Sequence, residues 1–537
     1  MKRYTGKGVV KGIAIGKIYL YKKQNYKVVR TEVSDVNAEK ERFESAVETS
    51  KDQLAILYED ALKNLGEDHA AIFEIHKMIL ADDNYLDAVK NVIEKGFSVE
   101  YAVSVAEEQL AEMLASTDDE YLKARAADIR DISRRVLNIL EGNGEDSIHT
   151  DGPVIVVAED LTPSETVKMD KDKILAFVTV KGSPNSHTAI LARSMNLPSL
   201  VNTQMELKEE MNGKMAVVDG FNGEFIIEPE EAVLEEMITR KNQWIADMAG
   251  LEQLKGKENV TRDGRRINLY ANIGNVEDAD AALEADAGGI GLFRSEFLYL
   301  GRNDYPSEEE QFESYKTVLE KMNGKKVIIR TLDIGADKKV DYFKLEPEEN
   351  PAMGYRAIRI CLDRPELFIT QLRAIYRASA YGTAAIMFPM IVSVNEIKRI
   401  KDIVGMVKKQ LLAEGFRTGE VELGIMVETP AAAVISDQLA KEVDFFSIGT
   451  NDLTQYTLAV DRQNQKLEST CDTHHPAVLR LIQMTVENGH REGIWVGICG
   501  ELATDTELTR MFLDMGVDEL SVSAANVLKV RKAIRDI

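Results

Sequence analysis

His187 sits where one kind of local structure gives way to another, in a setting that suits a phosphoryl acceptor. The β-like run Ile174-Leu175-Ala176-Phe177-Val178-Thr179-Val180 is broken by Gly182 and Pro184, and an apolar helical face begins at Ile190 and Leu191. Ser186 reads as the N-cap of a helix whose first turn holds His187. Such a turn presents unpaired N–H groups and the positive end of the helix dipole. A phosphate on the imidazole would meet a ready anion site, with Arg193 near in sequence to assist. A lone histidine at a helix start is usually an ordinary polar residue, so the rest of the chain must decide.

A second group of chemistry-bearing residues follows apolar, strand-like runs in the C-terminal half. Arg294, Arg330, Glu428, Asn451, Asp452 and Cys499 stand at or just after the ends of such runs, and Arg462 lies shortly after the sixth. Guanidinium forks match phosphate and carboxylate oxygens, so three arginines point to a small, highly anionic substrate. Two carboxylates without a His/Cys cluster suit a hard cation such as Mg²⁺. Carboxylates that bridge metal and phosphate recur in phosphoryl transfer. Cys499, followed by Gly500-Glu501, reads either as core packing or as a proton donor to an enolate.

The elements that must hold these residues follow from periodicity. Eight apolar runs alternate with amphipathic helical stretches from Asn268 onward, the count expected of a (β/α)₈ TIM barrel with its active site at the C-terminal strand ends. Before it, short strands with glycine turns occupy residues 1 to about 30. Helical spacing then runs from Ser34 to about Glu141, as in Phe43, Val47, Leu54, Leu57, Ala61 and in Leu122, Ala126, Ile129, Ile132, Val136, Ile139. Four helical segments are expected, with loops near Gly66, Gly96 and Ser116-Thr117-Asp118. The predicted organisation is multidomain α/β. An N-terminal α/β domain (1–30 plus 145–229) carries His187, a helical bundle (31–144) is inserted into it, a linker helix spans 230–256, and the barrel covers 257–537.

Composition narrows the function. A net charge of −24 over 537 residues argues against nucleic-acid binding. Three scattered cysteines fit a reducing cytoplasm and no disulfide framework. No signal-peptide core or 18-residue apolar run is present, so membrane insertion is not expected. Walker and dinucleotide-binding loops are missing, and His474-His475 lack the spacing of a zinc site.

Four segments carry a resemblance: Gly289-Ile290-Gly291-Leu292-Phe293-Arg294-Ser295-Glu296-Phe297, Asp333-Ile334-Gly335-Ala336-Asp337-Lys338, Glu428-Thr429-Pro430-Ala431-Ala432-Ala433, and the run Asp444 to Tyr456 containing Gly449-Thr450-Asn451-Asp452-Leu453-Thr454. With them the chain resembles, over nearly its whole length, the Enzyme I family of the bacterial phosphotransferase system, the phosphoenolpyruvate–protein phosphotransferases. The resemblance implies that His187 takes the phosphoryl group of phosphoenolpyruvate and passes it to the histidine phosphocarrier protein HPr, releasing pyruvate in the first step of sugar uptake. It implies that Arg294, Arg330, Asn451, Asp452 and Arg462 bind phosphoenolpyruvate, that Glu428 and Asp452 hold Mg²⁺, and that Cys499 protonates the enolate. The bundle would dock HPr and the barrel would form a homodimer. Where the family often reads Gly-Gly-Arg-Thr-Ser-His, this chain has Gly182-Ser183-Pro184-Asn185-Ser186-His187. It also ends at Ile537, shortly after the eighth strand, so the extra C-terminal helices of longer members are expected to be absent, with dimer strength most exposed to that difference. Pyruvate phosphate dikinase and phosphoenolpyruvate synthase are the nearest rivals, and the lack of a nucleotide loop in 31–145 speaks against them. A fold that has lost catalysis is opposed by the complete set of charged barrel residues.

Overall fold

The computed structural model describes residues 1–22, 28–65, 67–116, 120–142, 152–162, 165, 169, 173–183, 186–336, 338, 340–462, 464, 467 and 470–537. Gly66, Thr117, Asp118, Pro184, Asn185 and Asp337 lie outside these residues. The chain divides into two compact units, Met1–Asp247 and Met248–Ile537.

In the first unit, eight strands form one sheet: β1 (Lys2–Thr5), β2 (Lys7–Val10), β3 (Ile13–Leu20), β4 (Val154–Ala158), β5 (Ile174–Thr179), β6 (Ser199–Val201), β7 (Met215–Asp219) and β8 (Glu224–Ile227). Their order is β1-β8-β7-β3-β4-β5-β6-β2. β3 pairs in parallel with β4, Lys17 opposite Val154 and Leu20 opposite Val157, although more than a hundred residues separate them along the chain. The intervening segment is therefore an insertion between neighbouring strands. Among the described residues it holds five helices, α1 (Val36–Leu65), α2 (Glu67–Ala81), α3 (Asp83–Glu94), α4 (Val99–Ala115) and α5 (Glu120–Leu140), one more than the periodicity suggests. The extra boundary is made by Asp82, whose carboxylate accepts the Asn84 N–H at 2.8 Å and caps α3. Apolar spacing continues across that cap, which is why it was hidden. Phe43, Val47, Leu54, Leu57, Ala61, Ala126, Ile129, Ile132 and Val136 are all buried in one core, as their spacing demanded.

In the second unit, β9 (Asn268–Ile273), β10 (Ile290–Arg294), β11 (Val327–Arg330), β12 (Ala384–Phe388), β13 (Glu422–Val427), β14 (Phe445–Ile448), β15 (Trp495–Ile498) and β16 (Glu519–Ser523) close into a barrel of parallel strands. Their continuous apolar runs reflect burial on both faces, against the surrounding helices outside and each other inside. Leu292, Ile328, Ala385, Met387, Met426, Phe445 and Cys499 fill the lumen. A helix over Val527–Asp536 follows the last strand. No helix among the described residues is long and apolar enough to cross a membrane.

Candidate active site

The helix His187–Ser194 starts where its sequence placed it. Ser186 has extended backbone geometry, and its hydroxyl accepts the Ala189 N–H at 3.4 Å. The hydroxyl of buried Thr188 donates to the Leu161 carbonyl at 3.4 Å, tying the first turn to the segment after β4. Arg193 falls in the last turn, where a cation complements the negative end of the dipole. It does not share the turn of His187, because six residues advance a helix by ~9 Å. His187 belongs to the first unit and every other candidate residue to the second.

The barrel mouth collects those others. Arg294 and Arg330 are partners in the β10–β11 register, Arg294 exposed and Arg330 buried. Arg330 Nη2 donates to Glu296 Oε1 at 2.5 Å, and its Nη1 lies 3.0 Å from Asp333 Oδ2. The other oxygen of Asp333 meets Arg356 Nη2 at 2.7 Å, and that nitrogen lies 3.7 Å from Asp452 Oδ2. Arg462 Nη2 reaches Asp452 Oδ1 at 3.3 Å from a half-exposed position. Lys338 donates to the Asp333 carbonyl at 2.8 Å and stands 3.8 Å from Glu296. Asn451 Oδ1 accepts the Glu501 N–H at 3.1 Å, which fixes the loop after β15 and leaves the amide NH₂ to donate. Alternating charge thus rings the mouth.

This ring sets the protonation states. Burial works against the Arg330 charge, but Glu296 and Asp333 outweigh it and raise its pKa. Burial likewise penalises the Asp333 carboxylate, yet Arg330, Arg356 and Lys338 hold it well below the usual range. Burial, and then the nearby Asp452 and Asp333 carboxylates, push the Glu428 carboxyl above its usual range. Its Oε1 accepts the Met390 N–H at 2.6 Å. Asp452 Oδ1, although close to Arg462, accepts no well-aligned hydrogen bond among the described residues. Two buried, mutually repelling carboxylates with a spare oxygen fit a hard divalent cation that keeps substrate or water oxygens in its shell. No group of three or more His, Cys, Asp and Glu gathers as a protein-only cage among the described residues. The Cys499 thiol is buried, 3.7 Å from the Ile448 carbonyl, and burial pushes it up to about 12, so it stays protonated.

Arg356, Glu296, Asp333 and Lys338 complete the ring, and the strand-end pattern did not single them out. They lie in connections after β10 and β11, where no periodicity marks a side chain's direction. One signal is visible only in the backbone. Ala357, next to Arg356, takes φ +54°, and Met390, which caps Glu428, takes φ +59°. Non-glycine residues in that region persist where surrounding structure holds them, and here the Ala357 N–H donates to the Ile334 carbonyl at 2.9 Å. His474 and His475, read as polar loop residues, bond Asp505 and cap the helix Pro476–Arg491.

The chain joins a parallel barrel with this charged mouth to a separate α/β unit bearing a histidine at a helix start, and the family models that match it are those of enzymes that use phosphoenolpyruvate. Residues 248–537 match the PEP-utilising enzyme, PEP-binding domain, residues 5–125 the N-terminal domain of PEP-utilising enzymes, and residues 150–223 their mobile domain. The chain is 44% identical over 539 residues to the phosphoenolpyruvate-protein phosphotransferase of Priestia megaterium, covering 100% of this chain and 94% of that one. It is 43% identical to the enzyme of that name from Listeria monocytogenes, with 99% and 94% covered. An NMR solution structure of an Enzyme I protein (nEIt) is 34% identical, covers 45% of this chain and 99% of its own, and aligns with a TM-score of 0.40. The chain belongs to the phosphoenolpyruvate-protein phosphotransferase family, enzymes of phosphoenolpyruvate-dependent phosphoryl transfer in the phosphotransferase system.

Proposed function

We propose that the chain moves the phosphoryl group of phosphoenolpyruvate to His187 and then to HPr, with release of pyruvate. The observation that carries this reading is the Arg330–Asp333–Arg356–Asp452 chain of charges beside Glu428 at the barrel mouth. Arg294, Arg330, Arg462 and the Asn451 amide bind and orient the phosphate and carboxylate of the substrate. Asp452 orients Arg462 in return. Glu428 and Asp452 would hold Mg²⁺, which when bound offsets the substrate's negative charge. The imidazole of His187 attacks phosphorus, a P–N bond forms, and the P–O bond to the enol oxygen breaks. Cys499 then gives its S–H proton to C3 of the enolate, forming the methyl group of pyruvate.

The helix start at His187 receives the phosphate on its first turn, and α1–α5 dock HPr, whose histidine takes the phosphoryl group on. The domain plan follows the two functions. Residues 1–30 with 145–229 carry the phosphohistidine, 31–144 dock the carrier, 230–256 link the halves, and 257–537 bind phosphoenolpyruvate and form the homodimer. Unpaired, buried thiols at Cys361 and Cys499 support residence in the reducing cytoplasm.

Incubation with labelled phosphoenolpyruvate, Mg²⁺ and HPr, with and without ATP, tests the reading. One pyruvate should appear for each label on HPr, without any need for ATP. Label that reaches HPr only with ATP, or pyruvate formed without labelled HPr, overturns it.

A further inference from the structure

A buried chain of hydrogen bonds joins the two strand ends that carry Arg294 and Arg330. Its centre is Gln371, fully buried on the helix Pro365–Ala378. Gln371 Oε1 accepts the Leu332 N–H at 2.9 Å, just after β11. The Gln371 NH₂ donates to Ser295 Oγ at 2.9 Å and to the Tyr315 hydroxyl at 3.1 Å. Ser295 Oγ donates in turn to the Arg330 carbonyl at 2.6 Å. The Tyr315 hydroxyl donates to Gln311 Oε1 at 3.2 Å, within the helix Glu308–Lys321. Ser295, Gln311 and Tyr315 are buried as well.

Only one arrangement of donors satisfies this chain. A backbone N–H can only donate, so the Leu332 N–H fixes which end of the Gln371 amide carries the oxygen. Both amide hydrogens then point to hydroxyls. Each hydroxyl passes its own hydrogen on, Ser295 to the Arg330 carbonyl and Tyr315 to Gln311. A fully satisfied buried network of this kind rigidifies its members in one geometry. What it holds is the substrate end of two strands. The β10–β11 ladder is irregular between Ile290 and Phe293 and ends at the Arg294–Arg330 pair. Ser295 lies between Arg294 and Glu296, and Glu296 accepts from the Arg330 guanidinium at 2.5 Å. The network therefore ties residues 294–296 to residues 330–332 just where backbone pairing stops.

We propose that Gln371 and Ser295 are positioning residues that set the spacing of Arg294 and Arg330 for phosphoenolpyruvate. This rests on the reading of those two arginines as substrate ligands. Neither residue needs to touch the substrate. Gln371 acts through Ser295 and the Leu332 N–H, and Ser295 acts through the Arg330 backbone. Removing either side chain frees the two strand ends to shift, and misplacing a binding group by ~1 Å is costly. The arginines hold the substrate's charge in the ground state and the transition state alike, so the loss falls on KM and spares kcat. A merely structural role has the opposite signature. A smaller folded fraction lowers the apparent kcat and leaves KM unchanged.

Steady-state phosphorylation of HPr by the full chain, with phosphoenolpyruvate varied, tests the assignment. Ser295→Ala breaks the bond to the Arg330 carbonyl, and Gln371→Met breaks the network at its centre with little change of volume. Each should raise KM for phosphoenolpyruvate ~10-fold and leave kcat within ~3-fold. Ser295→Thr keeps the hydroxyl and should keep the wild-type KM. In a His187→Ala background, where the phosphoryl acceptor is gone, calorimetry with phosphoenolpyruvate and Mg²⁺ should show Kd weakened by the same factor. An unchanged KM in Ser295→Ala or Gln371→Met, a fall in kcat alone, or a KM in Ser295→Thr as high as in Ser295→Ala overturns the proposal. Arg330→Ala run alongside separates the two readings. If it leaves KM and Kd unchanged, the arginine is not a substrate ligand. If it weakens binding while Ser295→Ala and Gln371→Met do not, only the positioning role fails.

Discussion

The helix start at His187 and the mouth of the barrel, the two sites proposed to handle phosphate, are assembled by opposite means. At His187 the pieces are neighbours along the chain: a cap at Ser186 and a first turn tied down by Thr188. The dipole and free N–H groups come with any helix. At the barrel mouth, partners such as Arg356 and Tyr456 are a hundred positions apart, and eight strand ends must close before any charge finds its partner. The first site is local in the chain, whereas the second is a network of buried charge. If the proposed roles hold, a carrier histidine benefits from the one design and a binding site for a small trianion from the other.

The comparison breaks most completely at the histidine. His187→Ala should abolish transfer of label from phosphoenolpyruvate to HPr, and the acid-labile phosphate mapped by mass spectrometry should vanish with it. Label persisting elsewhere in the chain would show that the acceptor lies outside this helix. Nearly as large is the effect of cutting the chain at its structural boundary. A fragment of residues 1–247 should exchange phosphate with phospho-HPr and ignore phosphoenolpyruvate, since every arginine of the ring lies beyond it. Direct phosphorylation of that fragment by phosphoenolpyruvate would merge the two sites into one.

Smaller effects test how each site is held. Asp333→Ala leaves the buried Arg330 and Arg356 guanidiniums without their shared partner and should cost the barrel ~3 kcal/mol, read by urea unfolding. A loss below ~1 kcal/mol would mean that Glu296 and Asp452 suffice. Glu519, fully buried at the start of β16, gives a pH-dependent counterpart. Its folded pKa is raised above the ordinary 4.5, so the stability it contributes is complete below 4.5 and is lost as pH rises through the folded value. The barrel should therefore weaken with increasing pH by up to ~1.36 kcal/mol per unit, and Glu519→Gln should flatten that slope. An unchanged slope would place the titrating group elsewhere. The smallest effect belongs to the local site. Ser186→Ala removes one cap bond, worth ~1 kcal/mol, and should slow transfer only a few-fold without shifting barrel stability. A loss as great as that of His187→Ala would mean the helix start is not self-sufficient.

Much of this was legible in residue order. Each strand of a parallel barrel is buried on both faces and therefore writes a continuous apolar run, so eight strands could be counted from Asn268 onward. The Ser186 cap and the buried faces of α1 and α5 were legible for the same reason, because caps and periodicity act within a few residues. The cap at Asp82 was not, since apolar spacing runs across it and only its hydrogen bond to Asn84 marks the break.

The sequence by itself determined which residues could bear charge at strand ends and where the chain switches between helix and strand, because those properties are local. Tertiary structure alone decided that Asp333 would be shared between Arg330 and Arg356, and that burial, with Asp452 and Asp333 nearby, would raise the Glu428 carboxyl above its usual range. It alone decided that Gly291 and Gly497 would open the lumen to Glu519. Pairing of buried charges depends on distances through space of a few ångströms, and closure of the barrel is what sets them.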